Sequence, residues 1–325
     1  MHNFLIKSEE ISDVHYGKYP GARSVDEIIE NGILILDKPS GPTSHQVASW
    51  VRDIFGLKKV GHTGTLDPKV TGVLVLTLGK ACKIIPALMG LDKTYIALME
   101  LHDDVTQKDL NGVLKEFTGK IKQLPPKKSA VKRRERIREI YEIELLERKG
   151  RLALLKIKCQ KGTYMRKLIH DIGKKLGCGA HMRELRRIRV GMFGEEESVR
   201  LQEIKDAYVL WKEKNDDKIR EYVKPVEFGV EHIKKIIVKD SAVGSLVNGA
   251  PLGVGGISRI EDDIEENEMI AFFTEKGEMI ALGYSKMNSS KMLKSNSGLA
   301  ATVDRVIMEN GKYPNMWGKK DNLNT

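Results

Sequence analysis

Asp67 stands at the centre of Val60 to Gly72, which reads VGHTGTLDPKVTG. Gly61 and Gly64 are expected to permit turns with positive φ, and Pro68 disfavours the helical region for the residue before it. Such a loop would hold one carboxylate at the edge of a sheet, and loops on rigid scaffolds often carry chemistry. The same pattern also suits an aspartate that bonds its own backbone to close a turn. A second candidate is Arg166, in GTYMRKLIHDIGKKLG, in the first turn of an expected helix. A cation there opposes the helix dipole unless an anion lies nearby, so Arg166 either pairs with a carboxylate or phosphate or points into water. Tyr95, in KTYIALMEL, alternates with Ala97 and Met99 and is most simply a core aromatic.

Basic residues form two clusters. Lys127, Lys128, Lys132, Arg133, Arg134, Arg136 and Arg138 follow Pro125 and Pro126 with only Glu135 among them, a pattern expected of a phosphate-binding surface. Arg183, Arg186, Arg187 and Arg189 in HMRELRRIRVG form the second.

The elements that must position these residues are readable in outline. Residues 1–30 are expected to be an arm and not a core element. Ile33 to Leu36 reads as a buried strand with Lys38 at its end. Thr43 or Ser44 then caps a helix whose face is Val47, Trp50, Val51 and Ile54 and whose stop is Gly56. Val73 to Leu76 is another buried strand, and KACKIIPALMG a short helix bent or ended at Pro86. Lys93 to Leu101 is a strand and Leu114 to Ile121 a brief helix. Tyr141 to Leu146 and Leu152 to Cys159 are strands joined at Gly150. Met165, Leu168, Ile169, Ile172 and Leu176 make one helical face ended by Gly177. Trp211 to Lys224 is a charged segment before a domain boundary near residue 230. Beyond it, short apolar runs and NGAPLGVGG suggest a small β-rich domain.

The 325 residues allow one large core and a second, smaller domain, and a net charge of +10 favours a polyanionic partner. Cys82, Cys159 and Cys178 are far apart and never in a CxxC pair, which supports neither a disulfide framework nor a zinc site and fits a reducing cytosol. No apolar run approaches the length of a membrane span, so neither export nor anchoring is expected. The glycines at 253 to 256 lack the following helix of a dinucleotide fingerprint, and no P-loop is present.

Taken in order, GILILDKPSGPTSHQ, GHTGTLDPKVTGVL, KTYIA, KGTYMRKLIHDIG and HMRELRR resemble the TruB class of pseudouridine synthases over roughly residues 30–200. VNGAPLGVGGI and the strands after it resemble a PUA RNA-binding domain, and the nearest branch is the archaeal and eukaryotic dyskerin type. The resemblance implies an α/β (α+β) fold with a mixed, largely antiparallel sheet, flanking helices and a small β-rich PUA domain. Its expected divisions are an arm at 1–30 associated with the C-terminal domain, a catalytic domain at 31–230, a PUA domain at 231–312 and a tail at 313–325. The reaction implied is isomerisation of uridine to pseudouridine in ribosomal RNA, needing neither metal nor redox cofactor. Asp67 is the implied catalytic nucleophile, although attack at C1′, addition at C6 and assistance to proton loss from the sugar all remain open to it. Arg166 would pair with Asp67, buried once RNA closes over it, and Tyr95 would stack on the extruded base and share in proton transfer from C5. His62, Tyr164 and Leu185 would line the pocket, and Lys38 would support the architecture around Tyr95. Lys127, Lys128, Lys132, Arg133, Arg134, Arg183, Arg186 and Gly253 would contact RNA.

Stand-alone enzymes of the class carry a long insertion after their PP.SA motif, whereas PPKKSAVKRRERIREIYEIELLE runs almost directly into the next strand. The implied substitute is an H/ACA guide RNA with three accessory proteins: a small zinc-containing nucleolar-type protein, a glycine/arginine-rich-type protein and a kink-turn-binding ribosomal-type protein. Eukaryotic members carry lysine-rich nucleolar-targeting extensions; without one, an archaeal cytoplasm is expected, and a nucleolus only for a eukaryotic source. Two alternatives stand beside this reading: a stand-alone enzyme acting on the T-loop uridine of transfer RNA, and a non-catalytic RNA-binding scaffold.

Overall fold

The structure is a computed structural model that describes residues 3–124 and 134–314. In chain order its elements are β1 (Phe4–Ile6), α1 (Val25–Glu30), β2 (Gly32–Lys38), α2 (Ser44–Phe55), β3 (Val60–His62), β4 (Thr71–Leu78), α3 (Ile85–Met89), β5 (Lys93–Leu101), α4 (Gln107–Glu116), β6 (Gly119–Gln123), β7 (Arg136–Lys149), β8 (Leu152–Cys159), α5 (Met165–Lys175), β9 (Ala180–Val190), β10 (Phe193–Gly194), α6 (Leu201–Lys214), α7 (Ile219–Tyr222), β11 (Val223–Pro225), β12 (Lys234–Val238), α8 (Asp240–Val247), β13 (Leu252–Gly253), β14 (Ile257–Glu261), β15 (Met269–Thr274), β16 (Met279–Ser285), α9 (Ser289–Lys294) and β17 (Leu299–Val306).

A ten-stranded sheet runs β11-β2-β4-β9-β5-β8-β7-β6, with β3 added beside β4 and β10 beside β9. It is antiparallel except where β4 meets β9 in parallel at Thr71↔Arg186 and Gly72↔Arg187. The fold is thus mixed α/β with a largely antiparallel sheet. Its strands β2 and β4 are apolar on both faces for a physical reason. Leu34, Leu36, Leu74, Leu76 and Leu78 pack against α1, α2 and α6, while Ile33, Ile35, Val73 and Val75 pack against Ala271, Phe273, Met279 and Leu282 of a second sheet. Alternation along each strand therefore serves two cores at once.

The second sheet has seven strands in the order β1-β14-β12-β15-β16-β17-β13. Its core gathers Ile236, Val238, Ile257, Ile260, Ile270 and Phe272. The N-terminal arm enters it as β1, antiparallel to β14 with Leu5 opposite Ile260. A buried ion pair closes the junction: Arg23 donates to both oxygens of Glu227 at 2.8 and 2.7 Å, and Glu227 Oε1 accepts the Met279 N–H at 2.9 Å.

Several local expectations are corrected. Part of the arm does belong to a core, because Ser24 and Glu27 form a reciprocal capping box that starts α1 and buries Val25, Ile28 and Ile29. Pro86 stands in the first turn of α3, where a 3-10 helix over Gly79–Ile84 gives way to the α-helix, since the first turn needs no N–H there. The helix expected at Leu114 to Ile121 is α4, which ends at Glu116; Gly119, at φ +102°, then opens β6, whose alternating residues pair with β7. Trp211 to Lys224 holds the end of α6, then α7 and β11, with Ile219 and Val223 in the core. Trp50 is 43% exposed and so lies off the buried face of α2.

Candidate active site

The Asp67 loop joins β3 to β4 and is fastened from beneath. Leu66 and Val70, on either side of Asp67, are buried in one cluster with Tyr95, Met165 and Leu185. Ser44, at the start of α2, exchanges two hydrogen bonds with Leu66: the Leu66 N–H donates to Ser44 Oγ at 2.8 Å, and the Ser44 hydroxyl donates to the Leu66 carbonyl at 3.2 Å. The fully buried Lys38 ammonium donates to the carbonyls of Pro39, Pro68 and Val70 at 2.8, 3.0 and 2.9 Å. Lys38 thus braces the Asp67 loop directly, and Val70, which it holds, packs in the cluster that contains Tyr95. Gly64 has φ +153°, whereas Gly61 does not lie at positive φ. A Cβ at Gly61 would stand 2.5 Å from Ile85 Cδ1, so a side chain there would displace the end of Ile85.

This anchoring leaves the Asp67 carboxylate outside, where Arg166 of α5 meets it with Nη2 at 2.5 Å from Oδ2. The pair explains the cation in the first turn of α5, since an anion faces it. It also replaces the reading of Asp67 as a turn cap. The two side chains are 56% and 66% exposed, so the pair is not buried in the free chain. At that exposure it contributes at most about 1 kcal/mol to stability.

Tyr95 is on β5, with its ring in the cluster beneath the loop. Burial pushes its hydroxyl above the ordinary phenol range, and the neighbouring Arg187 guanidinium opposes that shift. Leu185 on β9 packs in the same cluster. His62 ends β3, half-buried and edge-on to His45 with ring centroids 4.7 Å apart. Burial holds its imidazole below the usual range, and its Nδ1 is buried without a hydrogen-bond partner. Tyr164 is the residue before α5; its backbone N–H donates to Gln123 Oε1 at 3.0 Å and its carbonyl accepts from Gln123 Nε2 at 3.2 Å. The buried Gln123 at the end of β6 thereby fixes the start of the helix that carries Arg166.

Asp67 and Arg166 are brought into contact, and Tyr95 and Leu185 pack with the residues flanking Asp67. The candidate RNA contacts are dispersed. Lys127, Lys128, Lys132 and Arg133 lie outside the described residues, and Arg134 is exposed. Arg183 pairs with Glu100 at 3.1 Å. Arg186 is held by Asp37 at 2.9 Å and Glu195 at 2.8 Å, which makes it a brace between β2 and β9 as well as a surface cation. Gly253 is exposed on β13 of the second sheet. Arg187, grouped by sequence with the second basic cluster, is 1% exposed and reaches the Gly64 carbonyl of the loop with Nη2. Ser44 and Gln123 were not legible as site residues, because their contacts join segments distant in the chain.

The chain matches four family models: the N-terminal domain of TruB family pseudouridylate synthase over residues 52–165, the tRNA pseudouridylate synthase B C-terminal domain over 166–231, the PUA domain over 234–307 and the DKCLD domain over 1–48. It is 50% identical, over 98% of its length and 96% of the relative's, to the probable tRNA pseudouridine synthase B of Methanococcus maripaludis strain C7. It is 51% identical to the protein of that name from Methanosarcina barkeri, over 97% and 94% of the two chains. Among solved structures it is similar to a chain of an H/ACA RNP bound to a substrate RNA containing 2′-deoxyuridine, with TM-score 0.91, 42% identity and 98% of each chain covered. It is likewise similar to a chain of a Cbf5-Nop10-Gar1 complex, with TM-score 0.90, 44% identity and 97% and 96% covered.

Proposed function

The chain belongs to the TruB family of pseudouridine synthases, in its archaeal dyskerin-type branch, and on that footing we propose that it is the catalytic subunit of an H/ACA guide-RNA particle that acts on ribosomal RNA. The enzyme isomerises uridine: the bond from ribose C1′ to uracil N1 breaks, the base turns, and C1′ is rejoined to C5. The observation that carries our reading of the site is the contact of Asp67 with Arg166, a carboxylate fixed on an anchored loop and oriented by a cation from another element. Asp67 meets the sugar of an extruded uridine, since the reacting atoms are out of reach inside a base stack. Arg166 orients it, and the pair becomes dry once RNA covers it. Tyr95 stacks on the base, and His62, Tyr164 and Leu185 line its pocket.

The partners we assign are a guide RNA, proteins of the Nop10 and Gar1 kinds found with similar chains, and a kink-turn-binding ribosomal-type protein. The Nop10-type partner is the small zinc-containing one. Similarity along nearly the whole chain to subunits of such particles supports this over the stand-alone reading. Because relatives are named for transfer RNA, we propose guide-free action on its T-loop uridine as a second activity. Among the described residues no helix is long and apolar enough to cross a membrane, and we place the particle in an archaeal cytoplasm.

The test is release of tritium from uridine labelled at C5, because joining C5 to C1′ expels that hydrogen. Release from guide-matched ribosomal fragments that requires the guide and vanishes in Asp67→Asn is the expected result. Release from transfer RNA by the protein alone, with none from guided substrate, would favour the stand-alone enzyme. No release from any substrate despite tight RNA binding would leave a scaffold.

A further inference from the structure

Arg187 heads the fully buried large side chains of the protein, and among the described residues no carboxylate pairs with it. A buried cation without a counter-charge is costly, and proteins ordinarily pair or neutralise one. Here its partners are backbone. Nε donates to the Val73 carbonyl at 2.8 Å and Nη2 to the Gly64 carbonyl at 3.2 Å. Those two carbonyls bracket the Asp67 loop, one on each side. The same residue is the register partner of Tyr95 on β5 and of Gly72 on β4. Gly72 lies at φ +101°, and a Cβ there would stand 2.2 Å from the Arg187 carbonyl oxygen, so β4 and β9 can meet because this position lacks a side chain. Opposite Tyr95 across the β5–β9 ladder, the guanidinium is also near enough to that side chain to oppose the upward shift that burial gives its hydroxyl. One buried cation therefore touches the loop that carries Asp67 and stands beside the aromatic beneath it.

We propose that Arg187 is a positioning residue for the isomerisation, clamping the Asp67 loop from inside and donating a hydrogen bond to the Tyr95 oxygen while that oxygen takes the proton from C5. The inference rests on the reading of Asp67 and Tyr95 as the reacting pair. Once C5 has bonded to C1′, the C5–H bond breaks and its electron pair becomes the C5=C6 bond. The C6=N1 π pair passes to N1, which gains a proton from solvent. The proton from C5 goes to the Tyr95 oxygen, whose own proton has already left to solvent. No net oxidation occurs. A guanidinium N–H donated to that oxygen supports its anionic form in the low dielectric beneath the loop. Arg187 does this without touching substrate, since Tyr95 and the loop lie above it.

The test uses the full chain with guide RNA, accessory proteins and matched substrate, in single turnover from pH 6 to 9. Wild type, Arg187→Lys and Arg187→Met are compared for C5 tritium release, RNA affinity and melting temperature. In parallel, 3-fluorotyrosine is placed at position 95 and titrated by fluorine NMR, a reading that needs no turnover. The expected result is release slowed about tenfold or more in Arg187→Lys, and further in Arg187→Met, with RNA affinity within about twofold of wild type. The rising limb of rate against pH and the fluorine midpoint should both move to higher pH. A folded Arg187→Lys chain with the wild-type rate and midpoint would overturn the proposal. If Arg187→Met does not fold, the lysine variant decides. Absence of release from wild type would instead overturn the function, while an unchanged fluorine midpoint would separately overturn the role of Arg187.

Discussion

The ammonium of Lys38 lies 2.9 Å from the carbonyl oxygen of Val70, three residues past Asp67, and 3.0 Å from that of Pro68. A strand end and a catalytic loop are thus joined by a buried cation whose hydrogen-bond capacity is filled by backbone. The loop's shape depends on it, because two of the three carbonyls that it satisfies belong to the loop.

Replacing Lys38 by methionine keeps the volume and removes the donors. The buried carbonyl of Val70 and the partly buried carbonyls of Pro39 and Pro68 then lose their partner, a loss of about 2–3 kcal/mol for charge-assisted bonds. The expected outcome is a lower midpoint in urea together with a release rate down by at least about tenfold, since the loop relaxes. A variant with wild-type stability and activity would show that the three bonds carry neither.

The Asp67 and Arg166 pair predicts the opposite separation of stability from activity. Both side chains are more than half exposed. Arg166→Gln should therefore change stability by less than about 1 kcal/mol. Tritium release should nonetheless fall about a hundredfold or more, because the carboxylate loses its orienting cation. Melting temperature and single-turnover rate on the same preparation check this, and a fall in both together would assign the pair to folding instead.

At the junction of the sheets, Arg23 and Glu227 are buried at 6% and 11% side-chain exposure, with bidentate contact. Removing one partner leaves a buried charge unmatched, so Arg23→Met should cost about 3–5 kcal/mol. Glu227→Gln should cost less, since its amide oxygen can still accept from the Met279 N–H. Chemical denaturation of both single variants and the double variant measures the coupling. An additive cycle would mean that the apolar contact between the sheets, and not the ion pair, sets the junction.

The parts of this architecture that were legible in the sequence are the ones written locally. Arg166 in the first turn of α5 signalled an anion, and Asp67 supplied it. The capping box of Ser24 and Glu27 is also local, although residues 1–30 were expected to form only an arm. Arg186 and Arg187 show where local reading stops. Strand alternation sends adjacent side chains to opposite faces, yet which arginine is buried depends on β4 arriving in parallel beside β9. The doubled burial of β2 and β4 likewise needs a second sheet built from residues some 200 positions later. Lys38 could be placed at a strand end from its neighbours, but its acceptors at Pro68 and Val70 come from a loop folded back over it.

His62 gives the protein an acid-sensitive element at the site. Burial holds its imidazole below the ordinary value of 6.5, and its Nδ1 lacks a partner. The folded state therefore binds this proton less readily than the unfolded state does. Stability is fully present above the unfolded value and declines as pH falls through about 6.5, where the unfolded chain takes up the proton first. The decline continues until pH reaches the lower folded value, with a slope of at most about 1.4 kcal/mol per pH unit from this group. His232 is also depressed by burial and adds a contribution of the same sign. Urea unfolding from pH 5 to 8 should show the loss, and His62→Gln, which cannot take up the proton, should flatten it in part. His62→Gln together with His232→Gln should flatten it further. If the single variant keeps the full wild-type slope, the acid sensitivity belongs to other groups and His62 is not held neutral by its surroundings.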